Sequence, residues 1–270
     1  MEDVVQLPSR GKFYQGKLPK GEVKIRNLTS EEEAILLSPD QNRLRVLDRV
    51  LERCLVSKEV PLMKLLSADR TFLLFRIRVL THGVDFSATM RCPSCGNQFP
   101  TTLDLSKDLR LKMLDDQDRE VEEITLPSGL DVGVRRLLVE DEHECYDYAM
   151  KHRQAKGNCR DVESDPGYQY RLAKHISTIN GEQCNMLQAM QLFPMSAGDS
   201  QALQMAIEDF SCGLDLTLDL SCPSCGYQFE HDFQFSNEFF RPKSVRYVRR
   251  NRNPEAAGDA DSGTAGTVQQ

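Results

Sequence analysis

Four cysteines in this chain have the residue type, number and spacing of a metal site. They fall in two near-identical stretches, Cys92-Pro93-Ser94-Cys95-Gly96 and Cys222-Pro223-Ser224-Cys225-Gly226. Two intervening residues let both sulfurs of a turn point at one ion, so each turn supplies half of a tetrahedral thiolate set. The proline fixes φ inside the turn. The glycine after the second cysteine tolerates a positive φ, which lets backbone N–H groups turn toward the thiolates. Four soft sulfurs suit zinc or iron. Because the evident task is to hold strands together, the expected cofactor is structural Zn2+ on Cys92, Cys95, Cys222 and Cys225, with iron as the second choice. A closed four-thiolate set leaves no position for water or substrate, which points to structure over catalysis. A redox dithiol would want a helix starting at its first cysteine. Two disulfides would need an oxidising compartment. A site shared between two chains stays open.

The flanking residues show what must position these turns. Val84–Met90 and Phe99–Leu105 bracket the first turn, and Leu214–Leu220 and Tyr227–Phe233 bracket the second, all with apolar–polar alternation. Alternation at period two is the mark of a half-buried strand, so each turn is expected at the tip of a β-hairpin. Two hairpins sharing one ion make a zinc ribbon. Residues 96–221 lie between its halves, so the chain must leave the ribbon, build something else and return.

The remaining segments fill in an α+β fold. Residues 4–27 read as extended and irregular, with a short strand at Glu22–Arg26, and either pack on their own domain or reach to a neighbour. Thr29-Ser30-Glu31-Glu32 is a capping box that opens a helix ending before Pro39. Further helices are expected over Arg43–Leu55 and Ala68–Thr81, the latter with Asp69, Arg70, Arg76 and Arg78 on a solvated face. Leu109–Asp118 reads as a short helix or loop. Val121–Leu126 and Leu130–Leu138 flank Pro127-Ser128-Gly129 as a hairpin. Helices follow at Glu140–Gln154, Tyr168–Ser177, Glu182–Leu192 and Ser200–Asp209, with a polar loop at Lys156–Gly167. Asp141, Glu142 and Glu144 read as an exposed helix start. The organisation is therefore 1–105 for the arm, helices and first half of the ribbon, and 106–213 for an inserted, mainly helical region with a small hairpin. The second half of the ribbon and a basic flank fill 214–248, and 249–270 reads as a disordered tail.

Composition narrows the function. The 270 residues carry a net charge of −7 and no tryptophan. Neither favours nucleic acid as a partner, and the ribbon strands carry Asp85, Asp104, Asp215, Asp219, Glu230 and Asp232. The start of the chain lacks the basic and apolar blocks of a signal peptide, and no apolar run approaches membrane-spanning length. No phosphate-binding loop, nucleophile elbow or dinucleotide fingerprint is present. His143-Glu144 is followed by Asp147 and not by a second histidine, and His231 is left out of a site that four cysteines fill. Cys54, Cys145, Cys159, Cys184 and Cys212 read as free thiols of a reducing compartment. The expectation is a non-enzyme with no small-molecule substrate and no membrane partner.

The order of motifs carries a resemblance. Leu7-Pro8-Ser9-Arg10-Gly11-Lys12-Phe13-Tyr14, Val23–Arg26, Glu31–Leu36, Asp69–Arg78 and the first CPSCG together resemble the baseplate hub protein family of contractile-tailed (T-even-type) bacteriophages, over roughly residues 5–243. A looser likeness runs to small tail-assembly proteins of other contractile phages. The resemblance implies a structural component of a viral tail baseplate hub in the virion, assembled in the host cytoplasm, with other tail and hub proteins as partners. A tail assembly chaperone that leaves the particle is the alternative, and a zinc-ribbon nucleic-acid-binding accessory protein the second. The ribbon would be a local stabiliser in this branch of the family. The N-terminal arm and the basic flank (Arg241, Lys243, Arg246, Arg249, Arg250, Arg252) would meet neighbouring subunits, and removal of residues 1–20 would leave the fold intact.

Overall fold

The computed structural model describes residues 1–39, 42–155, 165, 167–233, 235 and 237–241. Most of the 156–167 loop, the basic flank beyond Arg241 and the tail lie outside the described residues.

The N-terminal segment does not reach outward. Strand β1 (Glu2–Gln6) pairs antiparallel with β2 (Glu22–Arg26). The loop between them folds back on the core and buries Leu7, Tyr14 and Leu18. Two glycines make this possible. A Cβ on Gly11 would sit 1.9 Å from the Leu18 carbonyl oxygen, and one on Gly21 would sit 2.3 Å from the Arg10 carbonyl carbon. The loop also meets a buried carboxylate: Asp69 accepts hydrogen bonds from the Ser9 N–H at 3.0 Å and from the Ser9 and Tyr14 hydroxyls at 2.5 Å each. The expectation of a detachable arm is thereby corrected, because losing residues 1–20 removes core.

Helix α1 (Ser30–Leu36) begins at the capping box of Thr29 and Glu32. Glu32 is fully buried, and Arg26 forks onto it at 2.9 and 3.0 Å while Arg53 adds a third bond at 2.8 Å. The Arg26 bonds, opposed by burial, hold its carboxyl well below the usual carboxylate range. Helices α2 (Arg43–Cys54) and α3 (Ser67–His82) complete the N-terminal layer.

The charges on α3 do not form a solvated face. Asp69, Arg70 and Arg78 are buried. Arg78 donates to the carbonyls of Gly83, of Asp85 at 2.7 Å and of Phe239 at 3.3 Å, and its guanidinium lies against the Phe86 and Phe239 rings. It therefore ties the end of α3 to two later segments through their main-chain carbonyls. Arg70 pairs with Asp48, which also takes His143 at 2.5 Å, so three helices converge on one buried carboxylate.

After α3 come β3 (Asp85–Arg91) and β4 (Gln98–Asp104), then β5 (Arg110–Lys112). The last falls where a helix or loop was expected. The hairpin β6 (Val121–Thr125) and β7 (Asp131–Arg135) forms as expected. It is extended by β8 (Ile176–Ile179) and β9 (Glu182–Gln183) into a four-stranded antiparallel sheet in the order β6-β7-β8-β9. Helices α4 (Val139–Ala155), α5 (Tyr168–His175), α6 (Met186–Gln191) and α7 (Ala197–Phe210) surround it. Both helices read across 168–192 are thus shorter, because their ends are taken up by β8 and β9. Asp141 is buried, not exposed: Arg135 forks onto it at 2.8 and 2.9 Å and Lys174 joins at 3.3 Å.

The chain returns through β10 (Gly213–Asp215), β11 (Thr217–Ser221), β12 (Gln228–Asp232) and α8 (Asn237–Phe240). The alternating run Leu214–Leu220 is not one strand. β10 pairs with β5, and only β11 pairs with β12. Apolar side chains form two cores: a larger one from residues 5–139 together with 212–240, and a smaller one within 124–210.

Candidate metal centre

Both CPSCG turns fold alike. In the first, the Gly96 N–H donates to the Cys92 carbonyl at 3.0 Å and the Cys92 N–H to the Asn97 carbonyl at 2.9 Å. In the second, Gly226 and Cys222 make the same two bonds at 2.9 Å each, the latter to Tyr227. Gly96 has φ +73° and Gly226 φ +71°, the left-handed region that glycine enters without penalty. Hairpin β3–β4 carries one turn and β11–β12 the other.

The fold brings all four predicted sulfurs together. Cys92 Sγ is 3.7 Å from Cys225 Sγ, Cys95 Sγ is 3.7 Å from Cys222 Sγ, and all four lie within 4.8 Å of one another. A regular tetrahedron with metal–sulfur bonds of about 2.3 Å has edges of about 3.8 Å. The sulfurs therefore fit a tetrahedral ion and are too far apart for disulfides, whose S–S length is about 2.0 Å. Both pairs cross between hairpins, so one chain supplies the whole set. Cys92 and Cys222 are buried, while Cys95 and Cys225 face solvent.

The local electrostatics favour a cation among these sulfurs. Burial raises the Cys222 thiol, but the Cys225 and Ser224 N–H groups outweigh it and bring the thiol down to about 6. The Tyr227 N–H pulls Cys225 down, yet the Cys95, Cys222 and Cys92 thiols around it push it up to about 12. One thiol lowered beside another raised is the pattern of close sulfurs competing for protons, which a cation among them would relieve.

The other described cysteines are of a different kind. Burial pushes Cys54 and Cys212 up to about 12 and Cys145 up to about 11, as expected of inert core thiols. Cys159 lies outside the described residues. His231 is exposed on β12 and is not part of the cysteine cluster.

Sequence reasoning missed what packs behind the second hairpin. Phe233, Phe235, Phe239 and Phe240 interlock with Phe86, with ring centroids 4.9 to 6.4 Å apart across this aromatic group and Phe75. The signal was present as four phenylalanines within eight residues of a chain that is 7% aromatic. No helix among the described residues is long and apolar enough to cross a membrane.

The molecule is thus an α+β protein whose chain ends its excursion at a four-cysteine cluster. Residues 11–241 match the family model described as T4 bacteriophage base plate protein, and the chain belongs to that family. No curated protein and no solved structure matches it.

Proposed function

We propose that this protein is a non-enzymatic structural component of a phage tail baseplate hub, retained in the virion. The observation that carries this reading is the family match across residues 11–241, which takes in both cysteine turns and the smaller core between them. Cys92, Cys95, Cys222 and Cys225 would hold a structural Zn2+, which supplies four metal–thiolate bonds that clasp the two hairpins. Closure by sulfur suits a small part that must keep its shape under load, because such a clasp does not depend on a large hydrophobic core. Other tail and hub proteins are the partners.

Quantitative mass spectrometry of purified virions against infected-cell lysate tests the role. A fixed, small copy number in virions, with about one zinc per chain in the purified protein, is the expected result. Abundance in lysate with absence from virions would make the protein an assembly factor instead.

A further inference from the structure

A cleft of about 520 Å³ opens between the N-terminal loop and the residues that follow β7. Phe13 and Pro61 give it apolar walls, and Lys17, Glu120 and Arg136 give it charge. Lys64 and Arg135 also line it, but Lys64 is bound to Glu140 at 2.7 Å and Arg135 to Asp141. Lys17 makes no ion pair among the described residues.

Arg136 is the unusual member. Its side chain is 8% exposed. The guanidinium carbon lies 3.7 Å from the centre of the Phe210 ring and 5.7 Å from that of Phe13. Nη1 donates to the Arg119 carbonyl at 2.8 Å, whereas Nε and Nη2 are buried without a hydrogen bond. Those two nitrogens share one edge of the guanidinium plane, the fork that meets both oxygens of a carboxylate. Asp118 stands nearby, with Oδ1 3.5 Å from Nη2, well beyond the roughly 2.8 Å of a charge-assisted bond. Its other oxygen is engaged by the Asp115 N–H at 2.5 Å. Burial lowers the Arg136 pKa, as it does for a cation with incomplete compensation.

We propose that this cleft is a carboxylate-anchoring site for an acidic segment of a neighbouring baseplate chain, whose carboxylate takes the Nε–Nη2 edge of Arg136 in place of Asp118. The apolar walls and the volume suit a side chain with its adjoining backbone more than a lone inorganic ion. Lys17 adds a second positive charge and Glu120 opposes it, so a peptide of modest acidity is the expected occupant. The choice of a baseplate partner rests on the functional reading above. Failure of that reading would show in the virion mass spectrometry, whereas failure here would show only as missing Arg136-dependent binding.

The test uses the full chain and ten-residue peptides tiled across the other baseplate proteins of the phage, read by fluorescence anisotropy, with acetate and inorganic phosphate as free-ion probes. At least one acidic peptide should bind. Arg136→Lys and Arg136→Gln should each weaken it at least about tenfold, the first because lysine keeps the charge but lacks the fork. Changing the peptide's acid to its amide should do the same. Asp118→Asn leaves Arg136 in place and should tighten binding by removing the competing carboxylate. A lower melting temperature for Asp118→Asn with no gain in affinity would make Asp118 a plain structural partner and overturn the proposal. So would binding of the free ions without any peptide, or no peptide binding at all.

Discussion

The two cysteine turns share one pentapeptide, but the hairpins that carry them are fastened differently. In β3–β4 both strands have seven residues, and Phe86, Met90, Phe99 and Leu103 are buried on one face. In β11–β12 both strands have five residues; Leu218 is buried, while Leu220 and Phe229 are only half-buried. Each fully buried large apolar side chain contributes about 1.5–3 kcal/mol. The first hairpin is therefore held chiefly by its own side chains. The second leans on sulfur and on the aromatic residues that follow it. Identical local chemistry does not imply identical dependence on the ion.

Removing the ion should expose this difference most strongly. Zinc binding in small sites is worth on the order of 10–16 kcal/mol. With Cys222→Ser or Cys225→Ser, or after chelation, hydrogen-exchange protection should vanish over residues 217–232 and persist over 85–104. Equal loss in both hairpins would break the comparison. Cys92→Ser should drop the metal as well, and a full equivalent of zinc retained in both Cys92→Ser and Cys225→Ser would refute the four-cysteine set.

A pair of core truncations gives a smaller contrast. Phe86→Ala should cost about 3–5 kcal/mol, since Phe86 is buried among Phe233, Phe239 and the Arg78 guanidinium. Phe229→Ala should cost roughly 1 kcal/mol, because only part of that ring leaves water. Urea midpoints measure both, and matching values would erase the distinction.

A pH-dependent effect is expected away from both hairpins. His175, at the end of α5, donates from Nδ1 to the Arg135 carbonyl, and burial pushes it down to about 4. The folded state thus binds fewer protons than the unfolded one. Its contribution is complete above the unfolded value near 6.5 and is lost as pH falls toward 4, by up to about 3 kcal/mol. In metal-free protein, stability should fall between pH 7 and pH 5, and His175→Gln should flatten that slope. An unchanged slope would assign the acid sensitivity elsewhere.

The parts of the fold legible in the sequence are those written in adjacent residues. The capping box at Thr29 and Glu32 and the paired CPSCG turns depend on contacts within a few positions, and both form as expected. Alternation in Leu214–Leu220 reported which side chains face inward but not which strand lies alongside, so the division between β10 and β11 stayed hidden. The burial of Arg78 was hidden for a related reason: its partners are main-chain carbonyls, one of them 161 residues away, and a carbonyl leaves no trace in residue identity. The N-terminal loop looked extended because its order comes from Asp69, 60 residues further on.

The excursion between the two cysteine turns also sets a clock on biosynthesis. Cys95 and Cys222 are separated by 127 residues. At about 5–20 residues per second, the first pair of thiols waits roughly 6–25 seconds for the second to emerge. During that interval the nascent chain carries half a site. The site can be completed only once the second turn has emerged, and Phe86 of the first hairpin waits as long for Phe233 and Phe239 to cover it.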